Sequence, residues 1–368
     1  MKAFLDIYLA RNLGDDLFLK IIADRFPNTD FIVNYYGNAY YLDSEVHNNI
    51  IIPRYPTIFR LLNRLKIYDY ISDVNRISRE TDLCVFLGGS IFREEEYWRP
   101  LFQWRKNLIE AYKSQGKPIF IIGANFGPVY SDEFIKMYRE LFAECNDVCF
   151  RDKNSYLFFR DLKQVRYEKD IVFQLNVPKH NAKSKLVSVS VIDPAHIPNL
   201  KRYTKEYVDW IAKGVASLLQ EGYEVQLVGF CESEGDKRIC EAIQKTVQSY
   251  GNEGKTEVLV YQGNIDEMLQ WLSVSELVVA SRFHANILAL KMQIKLVPLV
   301  YSEKTTNVLK DLHFDGDIIP IEWMCKYNMD EVVHRCLDRK IESIDLNEVS
   351  RSAERQFYRM EEYLESKQ

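Results

Sequence analysis

The sequence predicts an α/β protein of two Rossmann-like domains facing a cleft, followed by a helical carboxyl-terminal segment. Three observations carry this. Short β-branched and aromatic runs alternate with amphipathic stretches of helical period along most of the chain, the pattern of successive parallel βα units. The pattern pauses at Val177–Lys185, VPKHNAKSK, a polar and basic stretch with a proline that reads as a linker. Strand after strand also ends in glycine or arginine, at the edge where open α/β sheets bind their ligands. A chain of 368 residues suits two domains of ordinary size. The expected divisions are 1–178, 186–328 and a helical segment 329–368 that could pack back on the first domain.

The first domain opens with a strand at Ala3–Leu9, the turn Arg11-Asn12-Leu13-Gly14-Asp15-Asp16, and a helix to about Phe26. Gly14 either makes the turn or lets the backbone approach a ligand. Asp15 and Asp16 stand in the first helical turn, where acids cap and complement the dipole. Phe31–Tyr36 is the second strand and Ile58–Ile77 a long helix. Asp82–Leu87 is a buried parallel strand ending in Gly88-Gly89-Ser90, which suits close backbone approach. A helix over Trp98–Gln115 stops at Gly116. Lys117–Asn125 is the next strand and ends in Phe126-Gly127-Pro128, so Asn125 and Gly127 fall at the same edge as the Gly88-Gly89 pair. Ser131 caps the following helix. Val148–Phe150 then leads straight into Arg151-Asp152-Lys153-Asn154-Ser155, an arginine at a strand-to-helix junction.

After the linker the βα pattern restarts with strands at Leu186–Ile192, Glu224–Phe230 and Glu257–Tyr261, alternating with helices at Tyr203–Glu221, Gly235–Tyr250 and Ile265–Ser275. The most informative stretch follows, Leu277–Lys304. It reads as strand Leu277–Ala280, then Ser281 at an N-cap position, then Arg282-Phe283-His284 opening a helix, then strand Leu296–Tyr301 with Lys304 at its end. A guanidinium and an imidazole are thus held at the start of a helix, where unpaired backbone N–H groups favour anions. Lys304 at the same edge makes three cationic or proton-active groups. The expectation from these residues is an anion site with a proton-handling group beside it.

Composition excludes several classes. Of the residues 47% are apolar and 27% charged, the profile of a soluble globular protein. The net charge of −5, with basic residues scattered, argues against a nucleic-acid partner. Seven dispersed cysteines without a CxxC pair fit a reducing cytoplasm rather than a disulfide scaffold. The start, MKAFLDIYLARN, carries Asp6 within its apolar run and makes a poor signal peptide. No uncharged run reaches the length of a membrane span. The expected location is the cytoplasm, with peripheral association at the inner face of the membrane left open.

Five segments together, NLGDDLFL, DLCVFLGGS, PIFIIGANFGP, CFRDKNS and SRFHANILAL followed by YSEK, resemble the polysaccharide pyruvyl transferase family in order and spacing. The resemblance implies a glycosyltransferase-B-like fold that moves pyruvate from phosphoenolpyruvate onto two hydroxyls of a sugar, with no metal or organic cofactor. Carried onto this chain, it implies that Arg282 and Arg151 grip the donor's carboxylate and phosphate, with His284 as acid/base and Lys304 as a further phosphate contact. Asp15 or Asp16 would activate the sugar hydroxyl. Phe283, Gly14, Asp16, Gly88, Gly89, Asn125 and Gly127 complete the candidate substrate-binding set. The chain departs from the family in following its glycine pair with Ser90-Ile91-Phe92-Arg93-Glu94 rather than a fuller glycine run and an acid. Acceptor specificity is expected in Tyr35–His47 and Gly88–Trp98, and the acceptor sugar itself, free, lipid-linked or nucleotide-linked, stays open, as does the oligomeric state. Two other readings share the fold: a glycosyltransferase using a nucleotide sugar, with Glu303 as ribose acid, and a non-catalytic member of a polysaccharide assembly complex.

Overall fold

The computed structural model describes residues 1–35, 48–53, 55–65, 70–197, 199–251, 256–339 and 344–367. The chain forms two compact units. Met1–Leu9, Phe18–Gln174 and Ser350–Gln368 make the first, and Ala10–Leu17 with Leu175–Val349 make the second. The sequence reading groups 329–368 together, whereas the units divide that segment at Ser350 and assign the turn before the first helix to the second unit.

The first unit holds strands β1 (Lys2–Ile7), β2 (Asp30–Val33), β3 (Ile50–Ile51), β4 (Leu83–Leu87), β5 (Ile119–Ala124), β6 (Asp147–Phe150) and β7 (Val165–Tyr167). All pair in parallel in the order β3-β2-β1-β4-β5-β6-β7. Its helices are α1 (Leu13–Arg25, shared with the second unit), α2 (Thr57–Arg64), α3 (Val74–Glu80), α4 (Trp98–Ser114), α5 (Asp132–Ala143) and α6 (Lys153–Leu157). Every residue of β4 and β5 is buried, as a sheet covered on both faces requires. Phe102, Arg105, Leu108, Ile109 and Tyr112 recur at helical spacing along the buried face of α4. The core is unusually aromatic. Phe126 has the rings of Phe134, Tyr138, Phe142 and Phe159 within 6.0 Å of its own, mostly edge to face. Much of the high aromatic content is therefore packing.

The second unit holds β8 (Leu186–Ser190), β9 (Glu224–Gly229), β10 (Thr256–Val260), β11 (Leu277–Ala280), β12 (Lys295–Val300) and β13 (Ile319–Pro320), again parallel, in the order β10-β9-β8-β11-β12-β13. Its helices are α7 (Thr204–Gln220), α8 (Asp236–Ser249), α9 (Ile265–Ser273), α10 (Phe283–Lys291), α11 (Glu303–Asp311) and α12 (Met329–Asp338). The core is aliphatic, built from Val187, Val189, Ile211, Val215, Leu227, Ile243, Val279 and Leu299 among others. In each sheet the chain winds outward in both directions from one pair of strands. These switch points lie between β1 and β4 in the first unit and between β8 and β11 in the second.

The carboxyl-terminal helices α13 (Leu346–Arg355) and α14 (Tyr358–Glu365) belong to the first unit from Ser350 onward. Gln356, 1% exposed, is the pin. Its Oε1 accepts from the Gly123 N–H at 3.0 Å, and its Nε2 reaches the Phe150, Glu168 and Lys169 carbonyls. Arg355 forks onto Glu168 at 2.8 Å, and Arg25 pairs with Glu361 at 2.6 Å.

Some elements differ from expectation. The long helix over Ile58–Ile77 is instead α2 and α3, with Asp73 capping α3 through the N–H groups of Asn75 and Arg76. The cause is local, since Asp73 offers the backbone a cap that restarts a helix. Strands β3, β7 and β13, of two or three residues, are too short to show a period. Tyr36, and with it residues 36–47 of the expected specificity loop, lies outside the described residues. No helix among the described residues is long and apolar enough to cross a membrane.

Replacing Gln356 by Ala should strand the buried Gly123 N–H at a cost of about 1–3 kcal/mol. The expected result is a lower urea midpoint by far-UV circular dichroism with native secondary structure retained at zero urea.

Candidate functional site

In the second unit the carboxyl end of β11 leads into Ser281-Arg282-Phe283-His284. Ser281 is not the helix cap. Its hydroxyl is hydrogen-bonded to the Tyr207 hydroxyl at 2.8 Å, and Arg282, with extended φ and ψ of −72° and 138°, occupies the N-cap position of α10. Burial explains the change, because Tyr207 is fully buried and needs a partner for its hydroxyl. Asn286 ties the turn by donating to the Ala280 and Arg282 carbonyls at 3.2 and 2.8 Å.

The Arg282 guanidinium is buried and claimed by carboxylates. Nε donates to Asp236 Oδ2 at 2.9 Å, Nη2 to Asp236 Oδ1, and Nη1 to Glu234 Oε2. Asp236 is fully buried and also accepts from the Phe230 and Cys231 N–H groups at 2.8 and 3.0 Å. Burial, the largest influence, raises the Asp236 pKa against the opposing pull of Arg282 and those N–H groups. Glu234 differs, because its side chain is 39% exposed on a single 3₁₀ turn. One guanidinium therefore serves two carboxylates, one fixed and one at the surface. Sequence reading did not single out either acid. The only available signal was their position just after the β9 strand, at the same sheet edge.

His284 is half-buried and its ring stacks edge-on to Phe283 at 5.0 Å. It lies directly against Gly14. A Cβ at that position would stand 2.0 Å from His284 Nδ1, so no other residue fits there without moving the ring. Gly14 belongs to the Ala10–Leu17 segment, which docks on the second unit through the Leu13 N–H to the Phe230 carbonyl at 3.1 Å and a bridge between Asn12 and Cys231. Asn12 caps α1 by accepting the Gly14 N–H at 3.0 Å, and its Nδ2 reaches Glu234 at 3.4 Å. Asp16 is fully buried and accepts from the Tyr261 hydroxyl at 2.7 Å, while Asp15 is half-buried. Lys304 is not at a strand end but in the first turn of α11, with Nζ 5.6 Å from the Phe283 ring. Arg282, His284, Gly14, Asp15, Asp16, Phe283 and Lys304 thus all belong to this unit.

Gly88, Gly89, Asn125, Gly127 and Arg151 belong to the first unit. Arg151 follows β6 and is 2% exposed. It reaches along the sheet edge, donating Nη2 to Asn125 Oδ1 at 2.9 Å and Nη1 to the buried Asp170 at 2.7 Å. A Cβ on Gly89 would stand 2.3 Å from Arg151 Nη2. The rest of the segment has local work. Asp152 caps α6 through the Ser155 N–H and takes the Ser155 hydroxyl, whose oxygen in turn accepts the Phe126 N–H. Gly127 donates its N–H to the Phe92 carbonyl at 2.8 Å.

Gly14→Ala should displace the His284 imidazole with little change in melting temperature, because a half-buried ring can turn aside. In a nitrogen–proton spectrum of the six histidines, one imidazole should move. Gly89→Ala should cost more, up to about 3 kcal/mol, since the displaced Arg151 would leave Asp170 buried without its partner.

With this geometry in view, comparison with known proteins is informative. The sequence signature described as polysaccharide pyruvyl transferase matches residues 12–303. The amylovoran biosynthesis protein AmsJ of Erwinia amylovora is 22% identical over 272 residues, which are 67% of this chain and 63% of that protein. Among solved structures, Anabaena HepE in complex with UDP and glucose has a TM-score of 0.61 at 12% identity, covering 99% of each chain. The UDP-GlcNAc 2-epimerase of Methanocaldococcus jannaschii has a TM-score of 0.60 at 10% identity, covering 99% of this chain and all of that one. At such identities these structures speak for the fold alone, which is glycosyltransferase-B-like, with two Rossmann-like units. Since the signature spans the glycine turns, the Arg151 junction and the Arg282–His284 turn alike, the chain belongs to the polysaccharide pyruvyl transferase family.

Proposed function

We propose that this protein transfers pyruvate from phosphoenolpyruvate to two hydroxyls of a sugar during cell-surface or exopolysaccharide synthesis. The observation that supports this most is the pairing of a buried guanidinium, Arg282, with a half-buried imidazole, His284, at the carboxyl end of β11 beside the sheet's switch point. In this reading the donor's methylene carbon takes up a proton and the first sugar hydroxyl adds to the adjacent carbon. The second hydroxyl then displaces phosphate from that carbon. Two carbon–oxygen bonds form and one breaks, and the two hydroxyl protons end on the new methyl group and on phosphate. His284 handles the protons, because an imidazole can both give and accept one near neutral pH. Arg282, with Lys304 nearby, stabilises the negative charge that grows on the departing phosphate. Of the two acids, Asp15 suits the sugar hydroxyl better, since it is half-buried whereas Asp16 is fully buried. The acceptor is a sugar, free, nucleotide-linked or lipid-linked, met in the cytoplasm.

Glu234 competes with an incoming anion for the Nη1 end of Arg282. Glu234→Gln should therefore tighten phosphoenolpyruvate binding by about two- to fivefold, the worth of a partly exposed ion pair. Calorimetric titration measures this directly, and weaker binding would contradict it.

Thermal unfolding with and without phosphoenolpyruvate tests the function itself. At a ligand concentration of a hundred times the dissociation constant the folded state should gain about 2.7 kcal/mol. The stabilisation should vanish in Arg282→Ala. Stabilisation by a nucleotide diphosphate and none by phosphoenolpyruvate would overturn the reading in favour of glycosyl transfer.

A further inference from the structure

A second arginine–histidine pair stands at the same switch point, on the β8 side, and neither the family resemblance nor the proposed transfer uses it. Just past β8, Asp193 is buried at 1% exposure. Its Oδ1 accepts the Ala195 N–H at 2.9 Å. Its Oδ2 gathers Arg238 Nε at 3.0 Å, Arg238 Nη2, and His196 Nδ1 at 3.2 Å. The carboxylate is hidden, but the two heads it holds are not. The Arg238 and His196 side chains are 59% and 53% exposed.

The two heads are positioned from below. Gly235, in the left-handed region at φ +88°, would with a Cβ meet Asp193 Oδ2 at 2.3 Å and His196 Cε1 at 2.9 Å. The next residue, Asp236, holds Arg282. The β8 cluster and the β11 cluster are therefore neighbours along one sheet edge, on adjacent paired strands.

Their charge balance differs. At β11 one guanidinium serves two carboxylates. At β8 one carboxylate serves a guanidinium and an imidazole, so the surplus is of N–H donors. With Nδ1 donating to Asp193, the imidazole presents Nε2 on its opposite edge, which donates when the ring is protonated and accepts when it is neutral, and Arg238 retains Nη1. A guanidinium N–H and, on the protonated ring, an imidazolium N–H come from separate groups and suit the several oxygens of a tetrahedral oxyanion.

We infer that Asp193, His196 and Arg238 form a phosphate-binding site at the switch point of the second unit, for a phosphate or diphosphate group. The transfer reading makes the carrier of the sugar acceptor its source, and that part rests on the reading. The site itself rests on the three residues alone.

The test is calorimetric titration of the full chain with inorganic pyrophosphate. Wild type should bind. His196→Gln and Arg238→Lys should each weaken binding about tenfold, the loss of one charge-assisted hydrogen bond or of the planar fork. Circular dichroism checks that each variant is folded, and Arg238→Lys keeps a cation beside Asp193 should Arg238→Ala fail to fold. No binding by wild type, or equal binding by the folded variants, overturns the site. Phosphoenolpyruvate in a second titration separates the sources. If the variants bind it as wild type does, the phosphate is the acceptor carrier's; if they lose it by the same factor, the phosphate is the donor's own, and the site holds in both cases. Pyrophosphate binding at Arg238 with no phosphoenolpyruvate binding by wild type would sink the transfer reading and leave the site standing.

Discussion

A buried guanidinium must be matched by a carboxylate, and both units of this protein are arranged around that requirement. Stripping water from an arginine costs several kcal/mol, which close acids with well-formed hydrogen bonds offset. Asp170 does this for Arg151 and Asp236 for Arg282, each acid itself buried. Each acid is further fixed by backbone N–H groups, from Val172 in one case and from Phe230 and Cys231 in the other. The result is a cation whose position is set in advance, which is what electrostatic stabilisation of a growing charge needs. The same matching removes most of the cation's surplus charge. At Arg282 the buried Asp236 already balances the charge, and Glu234, on its short turn at the surface, adds a second carboxylate.

The second constraint is steric, and it falls on glycine. An imidazole rests on Gly14 and a guanidinium on Gly89, at distances that leave no room for a Cβ. Motifs that look like ligand-approach loops are here, first of all, seats for the protein's own side chains. The Gly14 case also explains why the first turn of the chain belongs to the second unit. Leu13 and Asn12 pair with the end of β9, and that docking carries Gly14 under His284.

Much of the candidate site was legible residue by residue. Arg282 and His284 announced themselves by their place between a β-branched strand and a helix, and Arg151 by repeating that junction. Their partners did not. Asp170, Asp193 and Glu234 sit in stretches that read as ordinary polar turns and Asp236 in the first turn of an expected helix, and a carboxylate in either place is more often a cap than an ion-pair partner. Ser281 and Asn12 show the converse, since both have cap chemistry but only Asn12 caps its helix. Ser281 lies next to a buried tyrosine hydroxyl that the sequence places 74 residues away.

The sequence by itself determined the class of fold, two runs of parallel βα units, and the edge at which chemistry-bearing residues gather, because hydrophobic period and strand-end composition are local properties. It also carried the family, through five short segments in fixed order. Only the tertiary structure decided which acid neutralises which arginine, which glycine is a seat rather than a turn, and to which unit Ala10–Leu17 and the last helices belong. Those are pairings between residues far apart in the chain, and no period or spacing encodes them. They follow from the order in which strands add to a sheet, and from the rule that a polar group removed from water must find its partner within the protein.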